Sequence, residues 1–235
     1  MNEKIIFEKP STISSGEDIV SYFLKNEITV HPFFKLENSF NIGYIKLILE
    51  NGRDLDITGF LARTISMTQD LNIRCALVTQ LYDELGGGDI HKLHIHHIVN
   101  LLNAIEPLFK FKNLNDKTNL ENAYQSLSKE YKNLFFSDNF NTCIGVAIAN
   151  EIIVQPIFEY IKEVVFKYKD LLKEDEITWV TAHNELEEDH IGDTLSLSKI
   201  ISQDKNDLLQ VFDAGFQLLN AFWNFFNVLQ TVELE

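Results

Sequence analysis

The chain has 235 residues, enough for one large domain or two small ones, and its 45% hydrophobic content excludes a disordered chain. Phe outnumbers Met by 18 to 2, which points to an interior of rigid aromatics or a cavity lined by them. A formal charge of −15 with no basic run argues against nucleic acid and anionic membrane as partners.

Residues 1–14 carry Pro10 and a Ser/Thr-rich stretch and read as an irregular lead-in. Ser15 is placed to cap a helix over about 16–26, with Ile19, Tyr22, Phe23 and Leu24 as its apolar stripe. His31-Pro32-Phe33-Phe34 breaks the pattern, because a residue before proline avoids the helical region. A short helix over about 41–50 stops near Asn51-Gly52. Asp54 or Asp56 then opens a long helical stretch over 57–84, where apolar residues recur at three and four. Gly86-Gly87-Gly88 halts it, since glycine costs about 1 kcal/mol relative to alanine within a helix. Further helices are expected over 89–102, 118–134, 139–170, 174–202 and 205–231, with Pro156 kinking the one over 139–170. No alternating strand pattern and no internal repeat interrupts this series. The reading is a single all-α domain over 1–235 with seven to nine helices.

Other global features are bland. No apolar run reaches the roughly 18–20 residues needed to cross a bilayer, and the N-terminus carries no signal-like apolar region. Cys75 and Cys143 form no close-spaced motif, so a reduced, cytoplasmic setting is expected.

Three stretches carry chemistry. In Trp179-Val-Thr-Ala-His183-Asn-Glu-Leu-Glu187-Glu-Asp-His190, positions i, i+4 and i+7 of a helix fall within about 60° of one another. Two imidazoles and a carboxylate would share one face. An acidic surface helix with two incidental histidines satisfies the same spacing. In Glu84-Leu-Gly-Gly-Gly-Asp-Ile-His91-Lys-Leu-His94-Ile-His96-His97, the glycine break lets Glu84 and a later histidine address one point without sharing a helical face. The alternative is that His91, His94 and His97 form a polar helix face. Glu151 is flanked by Ile148, Ile152, Ile153 and Val154, and if buried it must be paired or metal-bound. It could instead face water with Asn150 and Gln155. Together Glu84, His94, Glu151, His183, Glu187 and His190 supply three carboxylates and three imidazoles. Mixed N/O donors without thiolate suit iron or manganese better than structural zinc.

The combination of Glu84-Leu-Gly-Gly-Gly with His94, a helix-borne Glu151 and His183-x-x-x-Glu187-x-x-His190 resembles the haem-oxygenase-like di-iron oxidase family. The His31-Pro-Phe-Phe stretch is similar to the entry segment of the wider superfamily, which includes thiaminase-like and pyrroloquinoline-quinone-synthase-like proteins. The resemblance covers about residues 31–200, with the metal-binding core over about 57–200. It implies a haem-oxygenase-like seven-helix bundle holding two iron ions and no haem. It also implies dioxygen activation, a small organic substrate of the amino-acid, fatty-acid or aromatic class, and a homodimer. Glu84, Glu151 and Glu187 would be carboxylate ligands, and His94, His183 and His190 nitrogen ligands.

There are departures from the pattern. Glu187 stands where the family usually has Asp, which leaves room for a weakly held second iron. His91 fits a shorter spacing from Glu84 than His94 does. No clear extra carboxylate comes from the first core helix, Asp54 and Asp56 being nearest. Competing readings are a metal-free thiaminase-like enzyme using Cys143, and a helical interaction protein with a vestigial site. Ferritin-like iron handling needs two Glu-x-x-His motifs, and only Glu187-x-x-His190 is present.

Overall fold

The computed structural model describes residues 7–53 and 55–235; it describes residues 182–191 as backbone only, and likewise Asn51, Gly52 and Leu114. Asp54, one of the two expected helix openers, lies outside the described residues. The all-α fold expected from the sequence is the one the chain adopts. Nine α-helices run through the described residues: α1 (Gly16–Lys25), α2 (Ile42–Arg53), α3 (Ile57–Met67), α4 (Leu71–Glu84), α5 (His94–Ile105), α6 (Leu114–Phe135), α7 (Phe140–Lys167), α8 (Thr178–Ile200) and α9 (Lys205–Leu229). Short 3-10 turns join several of them. The only extended pairing among the described residues is a single antiparallel bridge, Phe111 to Leu234.

Local chemistry sets the helix ends. The Ser15 hydroxyl accepts from the Asp18 N–H while the Asp18 carboxylate accepts from the Ser15 N–H, a reciprocal cap worth about 1 kcal/mol. Asp56 opens α3 by accepting from the Gly59 N–H at 2.8 Å. The expected single helix over 57–84 is two helices. Asp70 accepts from the Asn72 and Ile73 N–H groups, and the Thr68 hydroxyl accepts from the Asp70 N–H. Those side chains satisfy the amides that a continuous helix would have used, so the chain turns at 68–70.

The core is built around α7, which packs against α1, α2, α3, α6, α8 and α9. Its α9 contact is the closest. A Cβ placed on Gly145 would lie 2.1 Å from the Val211 carbonyl oxygen, so the two backbones touch there. One turn further on, a Cβ on Gly215 would lie 2.7 Å from both the Ala149 Cβ and the Phe23 ring. Gly145 and Ala149 on α7 and Gly215 on α9 thus open the groove into which Phe23 of α1 fits. By length and composition α7 could cross a membrane, which corrects the expectation that no apolar run is long enough. The reason it is so apolar is visible in the bundle: it is the central helix, buried from Cys143 to Ala149 without interruption and again at Ile152, Ile153, Ile157 and Ile161.

His31 is a buried structural residue. Its Nδ1 accepts from the Phe33 N–H at 3.1 Å, which puts the ring proton on Nε2, where it donates to the Asn227 side-chain oxygen at 3.1 Å. The ring also meets Trp223 edge-on, with centroids 4.3 Å apart. Burial pushes its pKa below the ordinary 6.5, outweighing the opposing effect of the Asn227 bond.

Two outcomes follow for stability. Gly145→Ala forces the α7 and α9 backbones apart and should destabilise the fold by about 1–3 kcal/mol or more, read as a lowered denaturant midpoint at unchanged slope. For His31, the unfolded chain takes up a proton near pH 6.5 that the folded chain resists, so stability is lost as pH falls below that value. His31→Asn keeps a capping acceptor, and its melting temperature should fall less steeply between pH 7 and pH 5 than that of the wild type.

Candidate metal centre

α4 turns its Ile73, Leu77, Gln80 and Glu84 face inward, a spacing of four, three and four. Glu84 is the last residue of that helix. The chain then reverses through Gly86, Gly87 and Gly88, whose φ angles are +64°, +68° and +85°. Residues with side chains rarely adopt such angles. A Cβ on Gly86 would also come within 2.4 Å of the Lys92 carbonyl group, so this turn folds tightly onto the segment that leads into α5.

His94 is the first residue of α5 and begins its inward stripe, followed by Ile98, Leu101, Leu102 and Ile105. The imidazole is 7% exposed, and its Nδ1 lies 3.3 Å from Glu84 Oε2. Two donor atoms each about 2.1 Å from one octahedral ion stand about 3 Å apart, so this pair fits a shared metal. His91 does not meet Glu84. It is exposed in a 3-10 turn whose N–H donates to Asp89. His96 is exposed, and His97 is half-buried. Burial lowers the His97 pKa, and the neighbouring His94 and His96 lower it further.

Glu151 is half-buried on α7 between the buried Ala149 and Ile152. Beside it, the Asn150 side-chain oxygen is buried with no hydrogen-bond partner. His183, Glu187 and His190 fall on the helical backbone of α8, while their side chains lie outside the described residues. The helix register is informative. Trp179, Val180, Thr194, Leu197, Ser198 and Ile201 are buried at or beside the two ends of α8. At about 100° per residue they span a sector of roughly 100°, and backbone positions 183, 187 and 190 fall within it, while 185, 188 and 189 do not. One turn past position 190, the Thr194 hydroxyl is fully buried and has no hydrogen-bond partner among the described residues. Leaving a buried polar group unmade costs about 1–3 kcal/mol, so each of these two atoms is a place for a bound water or group.

α8 packs against α4, α5 and α7, so it neighbours every helix that bears one of the other three candidate ligands. Among the described residues no group of three or more His, Cys, Asp or Glu side chains converges; the pairing there is Glu84 with His94. The donor set is oxygen and nitrogen without thiolate, which fits iron.

A cavity of about 400 Å³ opens beside this pair. Glu84 and His94 line it together with Leu55, Ile57, Leu93 and Ile98, and Arg53 and Asp56 add polar groups of opposite charge. The sequence reading missed this cavity. Its walls come from two junctions, α2 to α3 and α4 to α5, and the sequence related the residues within the second but not the two junctions to each other. Three other residues with reactive side chains lie elsewhere. Cys143 is buried against Met67 and the Ser137 carbonyl, and burial pushes its thiol pKa up, which disfavours a thiolate nucleophile. The Tyr160 hydroxyl donates to the Ser39 carbonyl, and Lys162 pairs with Glu159 on the surface.

The glycine turn sets the Glu84–His94 distance, so it can be tested directly. Gly86→Ala meets both a left-handed backbone and a backbone clash, and should cost about 1–3 kcal/mol in thermal unfolding while lowering the iron retained after desalting.

The profile of the iron-containing redox enzyme family matches residues 54–219, from the approach to α3 into α9. A search of curated proteins finds no match. The matched span takes in Glu84, His94, Glu151 and the whole of α8. Because that profile covers well over half of the chain, the protein belongs to the iron-containing redox enzyme family.

Proposed function

We propose that the protein is a non-haem di-iron oxidase or oxygenase that uses dioxygen to oxidise a small organic substrate. The observation that carries this reading is the 3.3 Å contact between the Glu84 carboxylate and the His94 imidazole, at the inner end of a cavity and on helices that both pack against α8. Glu84 and His94 would hold metal from one side, and Glu151, His183, Glu187 and His190 would complete the set. Bound iron would supply open coordination positions and the electrons for dioxygen reduction.

The protein's own residues would do the rest. The glycine turn fixes Glu84 against His94 before any metal arrives, so little reorganisation is needed on binding. Leu55, Ile57, Leu93 and Ile98 give the cavity aliphatic walls that exclude water from the oxidising centre. A small organic substrate of the amino-acid or fatty-acid class would lay its apolar body against these walls. Glu187 is one methylene longer than the aspartate usual at that position, which supports unequal affinity for the two irons.

Anaerobic loading with Fe(II), removal of excess metal and elemental analysis should find two irons per chain, one of them released faster by chelator. His94→Ala and His183→Ala should each retain at least one iron fewer. In air, oxygen uptake should rise when a panel of amino acids and fatty acids is added to the loaded wild type. Trace iron in the wild type, or His94→Ala binding iron like the wild type, would sink the proposal.

A further inference from the structure

A second cavity, of about 420 Å³, lies between α2 and α6. That volume falls in the range of about 300–1,000 Å³ usual for small-molecule sites. Lys46, Glu50 and Arg53 reach it from one face of α2, and Lys117, Glu121 and Tyr124 from one face of α6, both sets at a spacing of three and four. Phe109, Lys110 and Phe111, in the segment that joins α5 to α6, close it off. None of the candidate metal ligands lines it, although Arg53 is common to both cavities.

The walls are held in place by the protein itself. The Tyr124 hydroxyl donates to the Leu47 carbonyl, which ties α6 to α2. Its ring stacks on Phe225 of α9, with centroids 5.6 Å apart. Phe109 packs so closely on α2 that a Cβ on Gly43 would lie 2.6 Å from its ring. Phe111 meets Phe109 edge-on at 5.9 Å and pairs with Leu234 through the antiparallel bridge. The backbone of Lys110 exchanges two hydrogen bonds with Glu235, of 3.2 and 2.8 Å. Three aromatic rings are thus fixed around one space before any ligand arrives, which lowers the ordering cost of binding.

The charges around those rings are unlike those of the chain as a whole. The chain carries a formal −15, yet the cavity is lined by four cations and three carboxylates. Lys46 is committed: it pairs with Glu50 at 2.8 Å and with Glu106, and its Nζ stands 5.6 Å from the Phe109 centroid. Lys110 and Lys117 form no ion pair among the described residues, even though Glu121 follows Lys117 by one turn. Two ammonium groups therefore remain for a ligand, one from each side of the aromatic cluster.

We infer that this cavity binds a small anion carrying a flat aromatic ring, of the size of a nucleoside monophosphate or an aryl carboxylate. The ring packs against Phe109, Phe111 and Tyr124, and the anionic group is held by Lys110 and Lys117. The excess of positive charge is a single unit, so ring contact supplies most of the affinity and the cations set orientation. The site stands apart from the iron chemistry, and binding is expected with or without iron.

Isothermal titration calorimetry of the full chain, metal-free and iron-loaded, tests it with four probes: adenosine monophosphate, naphthoate, adenosine and inorganic phosphate. At least one of the two ring-bearing anions should bind with Kd on the order of 10–100 µM. Which of them does so separates a nucleotide from an aryl acid. Adenosine, which lacks the anion, and phosphate, which lacks the ring, should each bind at least about tenfold more weakly. Lys110→Glu and Lys117→Glu should each raise Kd by about tenfold or more. Lys25→Glu, the same change of charge at an exposed residue of α1, should leave it unchanged. Ser128→Trp, which fills the cavity from α6, should abolish binding with wild-type helical circular dichroism. If that variant loses helical signal, the two lysine variants decide. No binding of either ring-bearing anion overturns the proposal. So does phosphate or adenosine binding as tightly as they do, or Lys25→Glu weakening binding as much as the cavity variants.

Discussion

The contact on which the rest depends is the meeting of the α7 and α9 backbones at Gly145 and Val211. No side chain separates them, so the distance and rotation of the two helices are fixed by backbone alone. From that crossing the constraint passes outward. Gly215 and Ala149 leave the groove that Phe23 fills, which seats α1 on the pair. At its other end α1 touches α8, where a Cβ on Gly16 would lie 1.9 Å from the Ser198 carbonyl oxygen. Close-packed interiors transmit such displacements rather than absorb them. The position of α8 relative to α7 is therefore set by three glycines, none of which has any metal chemistry.

The candidate metal centre would use that rigidity in two different ways. Glu151 and the three α8 positions are carried on long helices, whose spacing is decided by the core. Glu84 and His94 are held by a turn. All three of its glycines adopt positive φ, and Gly86 comes so close to Lys92 that only hydrogen fits. A helix-borne ligand can be moved only by moving the bundle, whereas the Glu84–His94 pair depends on one local reversal. Preorganisation of this kind lowers the reorganisation cost of binding a metal and fixes which cavity wall the metal faces.

α4 links the centre to the molecular surface. Its inward stripe ends at Glu84, and Leu71, Val78 and Tyr82 are exposed on its other side.

The sequence by itself determined the helical class, the Ser15 and Asp56 caps, the halt at the glycine triplet and the candidate donor residues. Each is a local matter of spacing, capping chemistry or backbone freedom. The break at 68–70 was hidden because apolar residues keep a three-and-four rhythm across it, and only the side-chain caps of Thr68 and Asp70 reveal it. The choice of His94 over His91 shows the same boundary. Both spacings from Glu84 were open in the sequence, and the tertiary structure turned one imidazole onto the carboxylate and the other to solvent. Apolar residues recur at three and four along α4, yet Leu77 is buried while Leu71, Val78 and Tyr82 are exposed. Periodicity says that a helix has an apolar face, but which of two faces is buried depends on the partners packed against it. The cavity beside Glu84 was decided by tertiary structure, because it forms where the α2–α3 junction meets the α4–α5 junction, and no sequence spacing relates one junction to the other.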